Sequence, residues 1–287
     1  MKMKPWLTYA LITTISWGVW GALIEIPEKA GFPATLGYVV WALTMIIPAM
    51  IALKRIGWRL EKNRQAIFQG LLIGVAGAAG QLILFQALRS GPAYLVFPFV
   101  SLAPLVTILL SLWLLKERAS TRSWTGILVA LAAIPLLSYQ PAGNGVKFGL
   151  LWIFLALAVF LLWGIQAYFM KVANSHMRAE SIFFYMMISA LGLIPFAFLM
   201  TDFTQPVNLG IKGPWLAAGI QILNSIGALF IVYAFRYGRA IIVSPLTNAG
   251  APVITIILSL AIYGIVPHPV ILSGMILAVI AIFLLAD

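Results

Sequence analysis

Ten stretches of about 20 apolar residues follow one another along this chain, joined by connections too short to hold a domain. They run roughly over 5–24, 33–53, 66–88, 91–115, 120–139, 148–170, 179–201, 213–235, 240–265 and 268–286. Each has the length a helix needs to cross the hydrocarbon core of a bilayer, about 30 Å. Membrane strands are excluded by length: they need about 10 residues of alternating polarity, and these runs do not alternate. The expected class is an all-α membrane protein with ten transmembrane helices. Composition agrees. Only 9% of residues are charged, against about 25% in a soluble domain, too few to clothe a water-facing surface. Disorder, a disulfide scaffold and a secreted enzyme are excluded with it. The absence of cysteine removes thiolate metal sites and thiol catalysis.

The net charge of +11 invites a nucleic-acid reading, but the positions of the charges give it another cause. With the N-terminus placed in the cytoplasm, fourteen Lys and Arg fall in cytoplasmic segments. Lys29, Arg89, Lys147 and Lys212 are the four on the other side. This asymmetry is the positive-inside rule. It predicts both termini in the cytoplasm, the cytoplasmic membrane as location, and no nucleic-acid partner. The first span follows Lys2 and Lys4 but has no small-residue cleavage site after it, so it is expected to stay as a helix.

The second half repeats the first. Ala87, Arg89, Gly91, Ala93, Val96 and Pro98 recur 147 positions on, as Ala234, Arg236, Gly238, Ala240, Val243 and Pro245. After a one-residue insertion, Ala103, Pro104, Thr107 and Ile108 recur as Ala251, Pro252, Thr255 and Ile256. Trp17-Gly18 is echoed by Trp163-Gly164. The domains expected are a five-helix repeat over 1–140 and a second over 147–287. Five is odd, so the second copy must lie upside down relative to the first. Inverted repeats are an architecture of secondary transporters, with substrate bound near the midplane.

The stretch from Gln86 through Arg89, Gly91, Pro92 and Pro98 to Val100, ending in Lys116-Glu117-Arg118, resembles the drug/metabolite transporter superfamily, in its EamA-type permease branch. Trp17-Gly18 in the first helix fits the same pattern. The second copy shares Pro245 and Pro252 but ends in Tyr263-Gly264, without the Lys-Glu pair. The resemblance implies a ten-helix, two-repeat fold with a central cavity lined by helices 1, 3, 4, 6, 8 and 9. It also implies transport without catalysis, of solutes that differ widely among members, sugars and nucleotide sugars included.

No Asp, Glu, Lys, Arg or His stands in the middle of any span, so a midplane carboxylate relay is not available. Glu25, one turn beyond the first span, is the coupling candidate. The alternative is an interfacial residue pairing with Lys29 at i+4. The substrate-binding candidates are mid-depth polar and aromatic residues. Trp17 and Trp20 share a face, as do Trp163 and Gln166. Gln81 and Asn224 lie on repeat-related helices, with Tyr94 and Ser101 on helix four and Thr247 and Asn248 on helix nine. Amides and hydroxyls between aromatic faces suit a small polar solute. Against this stands simple hydrogen bonding between helices, worth about 0.6 kcal/mol each. Pro98, Pro104, Pro245 and Pro252 are expected to loosen helices four and nine and serve as conformational elements. Gly70, Gly74, Gly77 and Gly80 should let a neighbouring backbone approach helix three. Arg89 and Arg236 are expected to satisfy the C-terminal carbonyls of helices three and eight.

His176 and His268 have no companions at metal-ligand spacing, and no phosphate-binding Gly-Lys-Ser/Thr loop is present. No cofactor or metal is therefore expected. The partners expected are a small-molecule solute and the lipid bilayer, with a homodimer as an option. The function read is secondary active or facilitative transport of a small polar metabolite or drug-like solute by alternating access. Its rivals are a sugar or nucleotide-sugar porter of the same superfamily and, from another class, an intramembrane lipid scramblase or enzyme.

Overall fold

The computed structural model describes residues 4–91, 93–139, 149–264 and 266–285. Among these residues the chain is helical, with no strand. In order the helices are α1 (Pro5–Leu23), α2 (Glu25–Lys29), α3 (Ala34–Thr44), α4 (Ile46–Arg55), α5 (Arg64–Ser90), α6 (Ala93–Ser101) and α7 (Pro104–Trp113). Then come α8 (Thr121–Leu137), α9 (Leu151–Ala173), α10 (Ala179–Gly192), α11 (Ile194–Leu199), α12 (Leu216–Tyr237), α13 (Ala240–Tyr263) and α14 (Pro269–Leu285). Seven helical stretches, some of them spanning two consecutive helices, are long and apolar enough to cross a membrane; three shorter apolar helices, Phe99–Trp113, Thr121–Leu137 and Pro269–Leu285, complete the set. The protein is an integral membrane protein.

Local chemistry sets the helix ends. Asn63 caps α5, its side chain accepting from the Ala66 N–H at 2.8 Å, and Ser120 caps α8 by accepting from Ser123. Gly264, with φ +66°, closes α13 in the left-handed conformation. Three apolar runs expected as single helices are interrupted, at Met45, at Leu102–Ala103 and at Leu193. Each break lies within a turn or so before a proline (Pro48, Pro104, Pro195), whose ring crowds the carbonyl four residues back. This changes the reading of Pro104. It stands in the first turn of α7, where no helical hydrogen bond is lost. Pro245 and Pro252 lie inside the unbroken α13. The side chains of Pro98 and Tyr94 lie outside the described residues.

The two copies of the repeat interleave. Helix α1 packs on α12 and α13 of the second copy, and α9 packs on α5, α6 and α7 of the first. Helices α8 and α14, equivalent under the repeat, pack on each other. Buried hydroxyls tie the copies together: Tyr38 donates to the Ala190 carbonyl at 3.0 Å, and Thr44 bonds Ser225 at 2.9 Å.

Candidate functional site

The contacts between copies come in matched pairs. The Trp17 indole N–H donates to the carbonyl of Asn224 at 3.3 Å. The Trp163 N–H donates to the carbonyl of Gly77, the repeat equivalent of Asn224, also at 3.3 Å. A β-carbon at Gly80 would overlap the Trp163 indole, and one at Gly227 would overlap that of Trp17. Thr107 donates to the Gly164 carbonyl at 3.0 Å, and Thr255 to that of Gly18 at 2.9 Å. When residue i meets j and their equivalents meet in the same way, the interface has the reciprocity of a two-fold axis.

A cavity of about 530 Å³ lies between the two copies. Trp17, Trp20, Gln81, Ser101, Trp163, Gln166, Asn224, Thr247 and Asn248, all singled out from sequence, are in its lining, as are Pro104 and Pro252. Pro245 is not. The lining also draws on more helices than the expected set. Trp41 and Met45 come from the second span, Ile134 and Ser138 from the fifth and Met186 from the seventh. Most of its polar groups are used within the protein. Trp20 donates to Gln221 Oε1 at 2.9 Å, and Ser101 bonds both the Phe97 carbonyl and Ser138. The side chains of Gln81, Gln166 and Asn224 have no hydrogen-bond partner among the described residues.

A second cavity of about 480 Å³ shares Trp20, Trp41, Gln81, Trp163 and Asn224 with the first and runs out to Glu25 and Glu28. Glu25 is well exposed and pairs with Lys29 at 2.6 Å. Trp41 lines both spaces and carries a buried indole N–H with no partner. Sequence reasoning missed it, and Gln221 as well. Gln221 stands one turn ahead of Asn224 on α12, a signal available from spacing alone.

The opposite end is tied together by hydrogen bonds and ring contacts. Glu117 accepts from the N–H groups of Ala240 and Ile241, each at 3.1 Å, and so caps α13. Lys171 donates to the carbonyls of Phe235 at 3.1 Å and Gly238 at 2.6 Å, closing the end of α12. Arg239 donates to the Arg118 carbonyl. The Tyr9 ring stacks with Phe230, Tyr233 and Tyr237 at centroid distances of 5.2–5.8 Å. Here too an expectation is corrected. Arg89 donates to the Met200 carbonyl that ends α11, and Arg236 to the Met177 carbonyl before α10. Neither serves its own helix end, because a long guanidinium at a helix terminus reaches across to the neighbour.

The family model for the EamA-like transporter family matches twice, over residues 4–139 and 150–286. The chain belongs to that family. Its EamA domain is duplicated, and the family is one of transporters. Two uncharacterized transporters of Helicobacter pylori, from strains 26695 and J99, are 25% and 26% identical to it over 250 residues. Each alignment covers 82% of this chain and 79% of the relative. An uncharacterized protein of Methanocaldococcus jannaschii is 29% identical over 101 residues, 35% of this chain and 74% of the relative. A crystal structure with 20% sequence identity superposes with a TM-score of 0.78, covering 96% of this chain and 95% of its own. It shares the EamA fold.

Proposed function

We propose that this EamA protein is a secondary transporter that moves a small solute by alternating access. Ten helices cross the cytoplasmic membrane as two inverted five-helix repeats, with both termini in the cytoplasm. The observation that carries the reading is a cavity between the two copies that adjoins a second one reaching Glu25, with Glu117 tying the helices at the other end. In the orientation given by the basic residues, that is an outward-open carrier.

Alternating access needs two states of similar energy. The matched indole and threonine contacts near the axis can persist while the ends exchange. The inner end is the one that must break, and its closure has no counterpart outside. Counting by the repeat, Glu117 corresponds to Ile265, which lies outside the described residues, and Lys171 to Glu25. Tyr9, Phe230 and Tyr233 correspond to Leu155, Ile83 and Gln86. The outer end therefore lacks both the charged caps and the ring stack, which supports an outward-open resting state. Trp17, Trp20, Gln81, Trp163, Gln166, Asn224, Thr247 and Asn248 form the solute site in this reading, with Ser101 at its edge and Glu25 at the entrance. Whether Glu25 couples transport to protons is tested by Glu25→Gln, which then abolishes acceleration by an imposed pH gradient.

The chain has no native cysteine, so one introduced at Asn248, exposed within the cavity, reports access directly. In sealed vesicles a membrane-impermeant maleimide should label Asn248→Cys from outside, and more slowly from the cytoplasmic face. Labelling from one face only, under all conditions, contradicts alternating access.

A further inference from the structure

The carrier reading leaves the solute open, and the cavity lining narrows it. Among the described residues, the lining of the central cavity includes no Lys, Arg, His, Asp or Glu; Glu25 and Glu28 stand in the second cavity that adjoins it. A dehydrated ion costs several kcal/mol to bury without a counter-charge. Indole faces return about 2 kcal/mol each at best, and only to a cation. An anion or a zwitterion's carboxylate would find no positive partner, since the nearby N-terminus of α13 is occupied by Glu117. A solute without formal charge is favoured on this balance.

Three indoles of the lining, Trp17, Trp20 and Trp163, have spent their N–H groups on protein acceptors. What they present to the cavity is ring surface. Most hydroxyls are likewise spent, Thr107 and Thr255 on carbonyls of the other copy, while that of Ser244 has no partner among the described residues. Apart from the buried Trp41 N–H and the Ser244 hydroxyl, the free polar groups are of one chemical kind. Gln81, Gln166 and Asn224 are carboxamides without a partner among the described residues, and Asn248 uses its Nδ2 on Ser244 but keeps its oxygen. The amide of Gln166 lies over Gly77, one helical turn along α5 from Gln81. A carboxamide offers a donor and an acceptor in one plane. It pairs two-pronged with an edge of the same design, as Asn and Gln do with the N6/N7 edge of adenine.

Resting on the transporter reading, we propose that the solute is an uncharged, flat heteroaromatic molecule with an amide-type hydrogen-bonding edge, the chemistry of a free nucleobase. The ring lies among the indoles and its edge pairs with Gln81 and Gln166. Phosphorylated derivatives are excluded by charge.

The test uses full-length protein in proteoliposomes, with counterflow of radiolabelled adenine competed by unlabelled compounds. Adenine should accumulate, and N6,N6-dimethyladenine, whose donors are blocked, should compete at least tenfold less well. AMP, phenylalanine and tetraphenylphosphonium should not compete. Gln81→Leu and Gln166→Leu should each weaken adenine at least tenfold with an unchanged unfolding temperature. Equal competition by the dimethylated base overturns the pairing on the wild-type protein alone. A phenylalanine or tetraphenylphosphonium flux without adenine flux overturns the solute class and leaves the carrier standing. No adenine flux while Asn248→Cys is labelled from both faces does the same; no flux with labelling from one face only overturns the carrier itself.

Discussion

At the scale of single residues, Trp17 and Trp163 occupy equivalent places because each faces a glycine of the other copy, Gly227 and Gly80. Adding a side chain there must push an indole out of a packed interface, at a cost of about 1–3 kcal/mol. Gly80→Val and Gly227→Val should therefore each lower the unfolding temperature measured in detergent. Gly219→Ala, in α12 with open space around its β-carbon, should not. Since Ala is the better helix former, a fall for Gly219→Ala equal to the other two would mean that the loss does not come from the indole contact. Much of this was legible in the chain. Trp-Gly recurs in register, and polar residues deep in apolar spans needed either partners or a cavity. Trp41 was not legible. It has no tryptophan at its repeat equivalent, Ile188, and only the rotation of α3 against its neighbours turns its ring inward.

The elements add what single residues cannot. Hydropathy located the spans, and prolines at 48, 104 and 195 mark where three of them break. The contacts that tie the Glu117 end together were invisible, because Glu117 meets backbone amides 123 and 124 positions away. Sequence patterns carry no trace of a backbone partner. A hydrogen bond to a charged group is worth about 1.5–3 kcal/mol, so Glu117→Gln should shift the two-state balance toward the inward-open form by about tenfold or more. The check is the rate at which Asn248→Cys is labelled from the cytoplasmic face, with and without Glu117→Gln. Lys171→Met, which leaves the α12 carbonyls uncapped, should act in the same direction. Slower cytoplasmic labelling in both variants would remove the closure from the mechanism. Pro245→Ala, inside α13, should leave expression intact and slow exchange, read as the rate of solute counterflow.

For the whole molecule, the interleaving of α1 with α12 and α13, and of α9 with α5, α6 and α7, makes one body of two copies. This supports the proposed carrier over a lipid scramblase. The free carboxamides converge on a cavity between the copies, and a scramblase needs them along a groove facing lipid. The proposed mechanism depends on the second copy being inverted, as five spans in each repeat would require. Trp58 and Gln205 are repeat equivalents, 147 positions apart, and both are exposed in loops. The decisive measurement is labelling of Trp58→Cys and Gln205→Cys, each alone, by an impermeant maleimide in right-side-out and inside-out vesicles. Inverted copies predict Gln205→Cys labelled from outside and Trp58→Cys from the cytoplasmic side. Both labelled from the same face would contradict the inversion, and the alternating cavity with it.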